Sequence, residues 1–197
     1  MISYTEPNSP ASAQNLARGF EILEIDGVDF INDNTHAEVD TLNAGLYPTK
    51  VGKSTSFVFK DINTDETREV ILNSQTITSR PVTNVKTLAD GTVGYFQFNS
   101  HNAIAEKSLY DAFNNLKASN VTDLIIDIRY NGGGFLQMAS QVAYMIAGPA
   151  NTNGKIFEKT IFNDQHPTFN PVTGQRLKPV MFTNEFVGFA DNPALVV

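Results

Sequence analysis

Hydrophobic and polar positions change rhythm near residue 80. Before it, short alternating stretches dominate. Phe20-Glu21-Ile22-Leu23-Glu24-Ile25 alternates as a half-buried strand does, because successive side chains of a strand point to opposite faces. Asp26-Gly27 behind it is a turn signal. Residues 36–46 read as a helix, and Ser56–Lys60 and Thr67–Leu72 as strands around the polar loop Asn63-Thr64-Asp65. Ser9 and Pro10 mark a helix start: serine caps free amides, and proline suits the first helical position. This helix is expected to run to Arg18 and stop at Gly19.

From about residue 92 the order becomes strand, helix, strand, helix. Val93–Phe98 reads as a strand. Ala105, Leu109, Ala112, Phe113 and Leu116 fall at helical spacing. Leu124-Ile125-Ile126-Asp127-Ile128 is a nearly continuous apolar run, which suits a parallel strand covered on both faces. Phe135–Ala147 predicts a helix that is apolar on most sides and deeply packed. The βαβα order predicts a layered α/β core with a right-handed crossover. Ile156–Phe162 reads as a further strand and 166–174 as loop. Ala194-Leu195-Val196-Val197 reads as the opening of a buried strand. Because a core strand is an odd place for a domain to stop, the chain is expected to be an internal piece of a longer protein.

Composition narrows the function classes. The 197 residues carry a formal net charge of −7. That argues against nucleic-acid partners and anionic membrane surfaces, both of which demand clustered Lys and Arg. No apolar run approaches the roughly 20 residues of a membrane-spanning helix. The absence of cysteine removes disulfides, thiolate metal sites and a cysteine nucleophile.

The densest local signal is Asp127-Ile128-Arg129-Tyr130-Asn131-Gly132-Gly133-Gly134. Its glycines follow a buried strand and open a helix. Without Cβ atoms the backbone can turn sharply and admit another group to its N–H donors. A helix N-terminus adds unpaired amides and partial positive charge. The loop suits an anion or a developing oxyanion, although a tight turn alone explains the glycines equally well. It is neither a dinucleotide fingerprint nor a phosphate loop, since the glycine order and the following Lys-Ser/Thr are missing. Gly45 and Gly52-Lys53-Ser54 have the wrong spacing for a phosphate loop, so Gly52 reads as a turn before a strand. His36, His101 and His166 lack metal-ligand spacing and read as surface histidines. Asp127 and Arg129 flank Ile128 and read as a structural pair fixing the strand end. No Gly-x-Ser-x-Gly elbow is present.

Two segments together resemble a known family. Ser9-Pro10-Ala11-Ser12-Ala13-Gln14-Asn15-Leu16, then Gly19-Phe20-Glu21-Ile22-Leu23-Glu24-Ile25-Asp26-Gly27, resembles the PDZ pattern of bacterial proteases. Phe20 stands where that pattern has Asp, and Asn15 where it has Gly. Val93-Gly94-Tyr95-Phe96 and the run Leu124–Gly134 resemble the core of the carboxy-terminal processing peptidases, or tail-specific proteases.

The resemblance implies an α/β fold: part of a crotonase-like layered βαβ core preceded by a small PDZ-like α+β domain. Residues 1–80 would be the PDZ-like domain, incomplete at its N-terminus, and 81–197 the first part of the peptidase core, incomplete at its C-terminus. It implies a serine endopeptidase with a Ser nucleophile and a Lys general base, a role lysine fills only when its pKa is lowered. Both would lie beyond the last residue, so no dyad is assigned here and the isolated piece is expected to be inactive. Gly133 and Gly134 would supply backbone N–H groups to the oxyanion hole, with no cofactor and no metal. The partner would be a polypeptide, its C-terminus included, since PDZ domains add a peptide end as a strand; peptide-binding residues are not assigned. An exported bacterial enzyme of the periplasm or cell envelope is implied. The alternatives are a non-catalytic PDZ-containing peptide-binding or scaffold protein, and an acyl-CoA enzyme of the crotonase type, against which the PDZ-like start argues.

Overall fold

The computed structural model describes residues 1–184. The chain divides into two units, Met1–Ser79 and the residues from Arg80 on, each with its own apolar core.

In the first unit, helix α1 spans Pro10–Ala13. The Ser9 side chain accepts the Ser12 amide at 3.1 Å, and Pro10 sits at the helix start. The helix ends well short of Arg18, because Asn15 takes a left-handed conformation (φ +54°) and turns the chain. Leu16 thereby drops into the core, 2% exposed. Strands β1 (Phe20–Ile25) and β2 (Val28–Asp29) pair antiparallel. Asp26 and Gly27 between them both have positive φ, as the tight hairpin turn requires. Helix α2 (His36–Leu46) starts with a reciprocal cap: Thr35 accepts the Glu38 amide, and Glu38 accepts the Thr35 amide. Strands β3 (Ser54–Asp61) and β4 (Thr67–Asn73) complete an antiparallel sheet of order β2-β1-β3-β4. Ile25, Leu42, Phe57, Phe59 and Val70 fill the core with Leu16. Gly52 is a positive-φ turn ahead of β3.

The second unit opens with β5 (Val82–Leu88), paired antiparallel to β6 (Val93–Phe98). The sequence pattern misses β5, whose alternation is broken by a bulge between Thr83 and Lys86, where Asn84 takes φ +56°. Helix α3 (Ala105–Ala118) then carries the chain to β7 (Asp123–Asp127), which lies parallel to β6 from Val93↔Asp123 to Gln97↔Asp127. Helix α4 (Leu136–Ala147) follows, and β8 (Ile156–Glu158) pairs with β9 (Val180–Met181). The core joins Phe96 and Phe98 of β6, Leu109, Ala112 and Leu116 of α3, and Met138, Val142 and Met145 of α4. Gly94 lets the sheet approach α3, since a Cβ there would stand 3.0 Å from Leu116 Cδ1.

Two burial expectations change. Leu124 and Ile126 pack on the core, whereas Ile125 on the other face is 48% exposed. Among the described residues, β7 is thus covered on one face. Ile146 and Leu136 of α4 also face outward. The strand expected at Ala194–Val197 lies outside the described residues. No helix among them is long and apolar enough to cross a membrane.

Candidate active site

Parallel pairing of β6 and β7 places both strand ends side by side. The segment after Phe98 therefore runs next to the glycine-rich bend after Asp127. A bridge joins His101 and Gly134 in parallel register. The His101 amide donates to the Gly133 carbonyl at 3.0 Å, and the His101 carbonyl accepts the Phe135 amide at 2.9 Å.

Asn131 is the side-chain hub of the bend. Its Nδ2 donates to the Phe98 carbonyl at 2.9 Å. Its Oδ1 accepts the Gly133 amide at 2.8 Å and lies 2.8 Å from His101 Nδ1. The imidazole packs against the Phe98 ring, centroids 4.4 Å apart.

The two glycines singled out from sequence are therefore not equivalent. The Gly133 N–H is engaged by Asn131. The Gly134 N–H has no acceptor among the described residues. Both have positive φ, +98° and +138°. At Gly134 a Cβ would stand 2.5 Å from the His101 carbonyl oxygen, so only glycine allows this approach. The bend is solvent-exposed. It leads into α4, whose first turn receives no side-chain cap and holds no acidic residue among the described residues, which leaves the positive end of the helix dipole facing the bend.

On the strand side, Asp127 is buried and takes four donors: the Arg129 amide at 3.1 Å, Arg129 Nε, Arg129 Nη2 at 2.5 Å, and the Tyr95 hydroxyl at 2.8 Å. The Arg129 hydrogen bonds, more than any other cause, hold the Asp127 carboxyl well below the usual carboxylate range. The same pairing raises the Arg129 guanidinium, and the bond to Asp127 raises the Tyr95 phenol. This carboxylate is ionised and saturated with donors, which suits it to fixing the strand end rather than to accepting protons.

The other candidates stand apart. His36 begins α2, and His166 packs edge-on to Phe169. The described residues contain no cluster of His, Asp and Glu able to hold a metal ion. An apolar groove of about 470 Å³ runs between α3, β7 and α4, lined by Phe113, Leu116, Leu124, Met145 and Ile146, away from the glycine bend. The sequence reading missed the His101–Asn131 pair and the Tyr95–Asp127 bond. Both join residues about 30 positions apart, and the detectable signal was the parallel pairing itself, which sets the two strand ends together.

Comparison with known proteins bears on this region. Residues 92–168 match the model of peptidase family S41. They span β6, α3, β7, the glycine bend and α4. This segment is similar to peptidase family S41. A carboxyl-terminal-processing protease of a Picosynechococcus species is 27% identical over 168 residues, covering 85% of this chain and 39% of that protein. The photosystem II D1 C-terminal processing protease superposes with a TM-score of 0.50 at 25% identity, over 73% of this chain and 39% of its own. A Bacteroides fragilis protein assigned to the S41 proteases gives 0.57 at 20% identity, over 95% and 48% respectively, a likeness of fold. The chain thus spans about two fifths of the length of the curated relative it matches.

Proposed function

We propose that this chain forms the oxyanion side of a serine endopeptidase of the carboxyl-terminal-processing kind. The observation that carries the reading is the Gly134 amide. It stands in an exposed bend, with its backbone locked against His101 and no acceptor of its own among the described residues. Such a donor can meet the negative charge that develops on a peptide carbonyl oxygen during attack. Gly133, already bonded to Asn131, acts by shaping the bend.

In this reading the nucleophilic serine and the lysine that activates it lie beyond Val197. The serine oxygen adds to the peptide carbonyl carbon while its proton passes to the lysine. The C–N bond then breaks, the lysine returns the proton to the departing amine, and water hydrolyses the acyl ester. The βαβ unit of β6, α3 and β7 corresponds to part of a crotonase-like core. The first unit corresponds to a PDZ-like module that feeds polypeptide ends to the site by strand addition. An exported location and polypeptide substrates follow from the same likeness.

The test is proteolysis of an unfolded protein by a polypeptide that continues past Val197, read by mass spectrometry of the fragments. Cleavage should disappear when the downstream serine is replaced. It should fall by about 10²–10³ in kcat when Gly134 is replaced by alanine, the scale of losing one oxyanion donor. Cleavage that persists in both variants, or none in the parent, overturns the proposal. A parent that binds peptide ends without cutting them is the scaffold alternative.

A further inference from the structure

The glycine bend must be both open and rigid, and its glycines have no side chains to supply the rigidity. Three hydrogen bonds tie it to residue 101. Two are backbone bonds, His101 N–H to Gly133 O and Phe135 N–H to His101 O, which any residue at that position would make. The third comes from the imidazole. Its direction is set by the surroundings: Asn131 Nδ2 donates to the Phe98 carbonyl, and the Gly133 N–H donates to Asn131 Oδ1. Both ends of the amide are thereby assigned, and Oδ1 can only accept. His101 Nδ1, 2.8 Å away, must carry a proton, in the neutral ring and the cation alike. Phe98, 1% exposed, braces the ring from another side.

We propose that the His101 imidazole is a positioning residue for the oxyanion loop. Through its Nδ1–H it holds Asn131 Oδ1, and through Asn131 it holds Gly133 in the conformation that presents the neighbouring Gly134 amide. This rests on the acyl-transfer reading above. The role is selective for the transition state, because the amide acts on charge that appears only during attack. Loosening the latch should therefore lower kcat and leave KM in place.

Two variants of the active polypeptide separate this from plain packing. His101→Phe keeps a ring against Phe98 and loses the N–H. Its kcat should fall by about tenfold or more, as small misplacements of catalytic groups do, with KM and the thermal midpoint unchanged. His101→Asn places an amide N–H where Nδ1 stood and should recover most of kcat. A phenylalanine variant as active as the parent, or an asparagine variant no better than phenylalanine, overturns the proposal. Nitrogen-15 NMR of the 197-residue chain provides a readout independent of activity. The neutral His101 ring should be the Nδ1–H tautomer, and finding the Nε2–H form overturns the latch. A parent that hydrolyses nothing removes the peptidase reading and the positioning role with it, while the tautomer still reports whether the hydrogen bond exists.

Discussion

Replacing Gly134 with alanine sets a methyl group against backbone that has no room to yield. The added carbon would stand 2.5 Å from the His101 carbonyl oxygen, 2.8 Å from the carbonyl carbon and 2.9 Å from the His101 Cβ. The position also has φ +138°, which L residues rarely adopt. Holding a non-glycine residue in so sparse a region costs on the order of 1–3 kcal/mol. Forcing volume into filled space costs about 1–3 kcal/mol more. The neighbours supply the controls. Gly133 has φ +98° but open space around it, so its alanine variant bears the backbone cost alone. Gly132 has open space and a φ outside the left-handed region. Alanine there restricts the unfolded chain, an effect of about 0.4–1 kcal/mol in favour of folding where the backbone fits. Urea unfolding of the three variants, followed by a probe within the second unit, should rank them Gly132→Ala, Gly133→Ala, Gly134→Ala from most to least stable. Equal midpoints for the last two would mean that the bend is not seated on His101, and the argument for the Gly134 amide would fall with it.

Asp127 should make the second unit acid-sensitive. Its folded pKa lies below the unfolded value of about 3.9, so its contribution is complete above that value and fades as pH falls toward the folded one. Acid unfolding of Asp127→Asn should show a shallower loss of stability below about pH 5 than the parent; parallel curves would refute the assignment. Tyr95→Phe removes a hydrogen bond to that charged group and should cost about 1.5–3 kcal/mol by urea unfolding, with no loss counting against the bond. In the first unit, Gly45→Ala sets helix propensity against packing: alanine gains about 1 kcal/mol in a helix interior, but its Cβ would collide with Ile25 Cγ2, on a side chain that is fully buried. Overpacking on the scale of about 1–3 kcal/mol should win, and a raised melting temperature for the variant would show that Ile25 can move.

Local chemistry made much of the fold legible. Asp26-Gly27 announces the β1–β2 turn because two successive positive φ values suit these residue types. The spacing of Ala105, Leu109, Ala112 and Leu116 announces α3, and these four are its buried apolar side chains. Other features had no local signature. Helix α1 is cut short by Asn15, whose left-handed conformation serves to bury Leu16. Strand β5 is held by pairing with β6 across a bulge, so its alternation is erased where the bulge falls. The glycine bend was visible as three adjacent glycines. The unequal roles of Gly133 and Gly134 were not, because they depend on Asn131 and on His101, which arrives from the loop after β6.

That arrangement explains why the run from Asp127 to Gly134 has the residues it has. On the proposed reading, a bend that offers an amide to a reacting carbonyl needs residues without side chains, and such residues have the greatest backbone freedom to lose. The freedom is removed from outside the glycines. Alternate positions 127, 129 and 131 each carry a polar side chain that ties the run down: Asp127 to Tyr95, Arg129 back to Asp127, and Asn131 to Phe98 and His101. Ile128, between the first two, is 59% exposed, and it joins the run through its carbonyl, which accepts the Asn131 amide at 3.0 Å. The anchors draw on β6 and the loop behind it, which parallel pairing sets beside β7. Rigidity at the bend is thus imported across the sheet, and a substitution at Tyr95 or His101, distant in sequence, acts on the same few amides as a substitution in the glycines themselves.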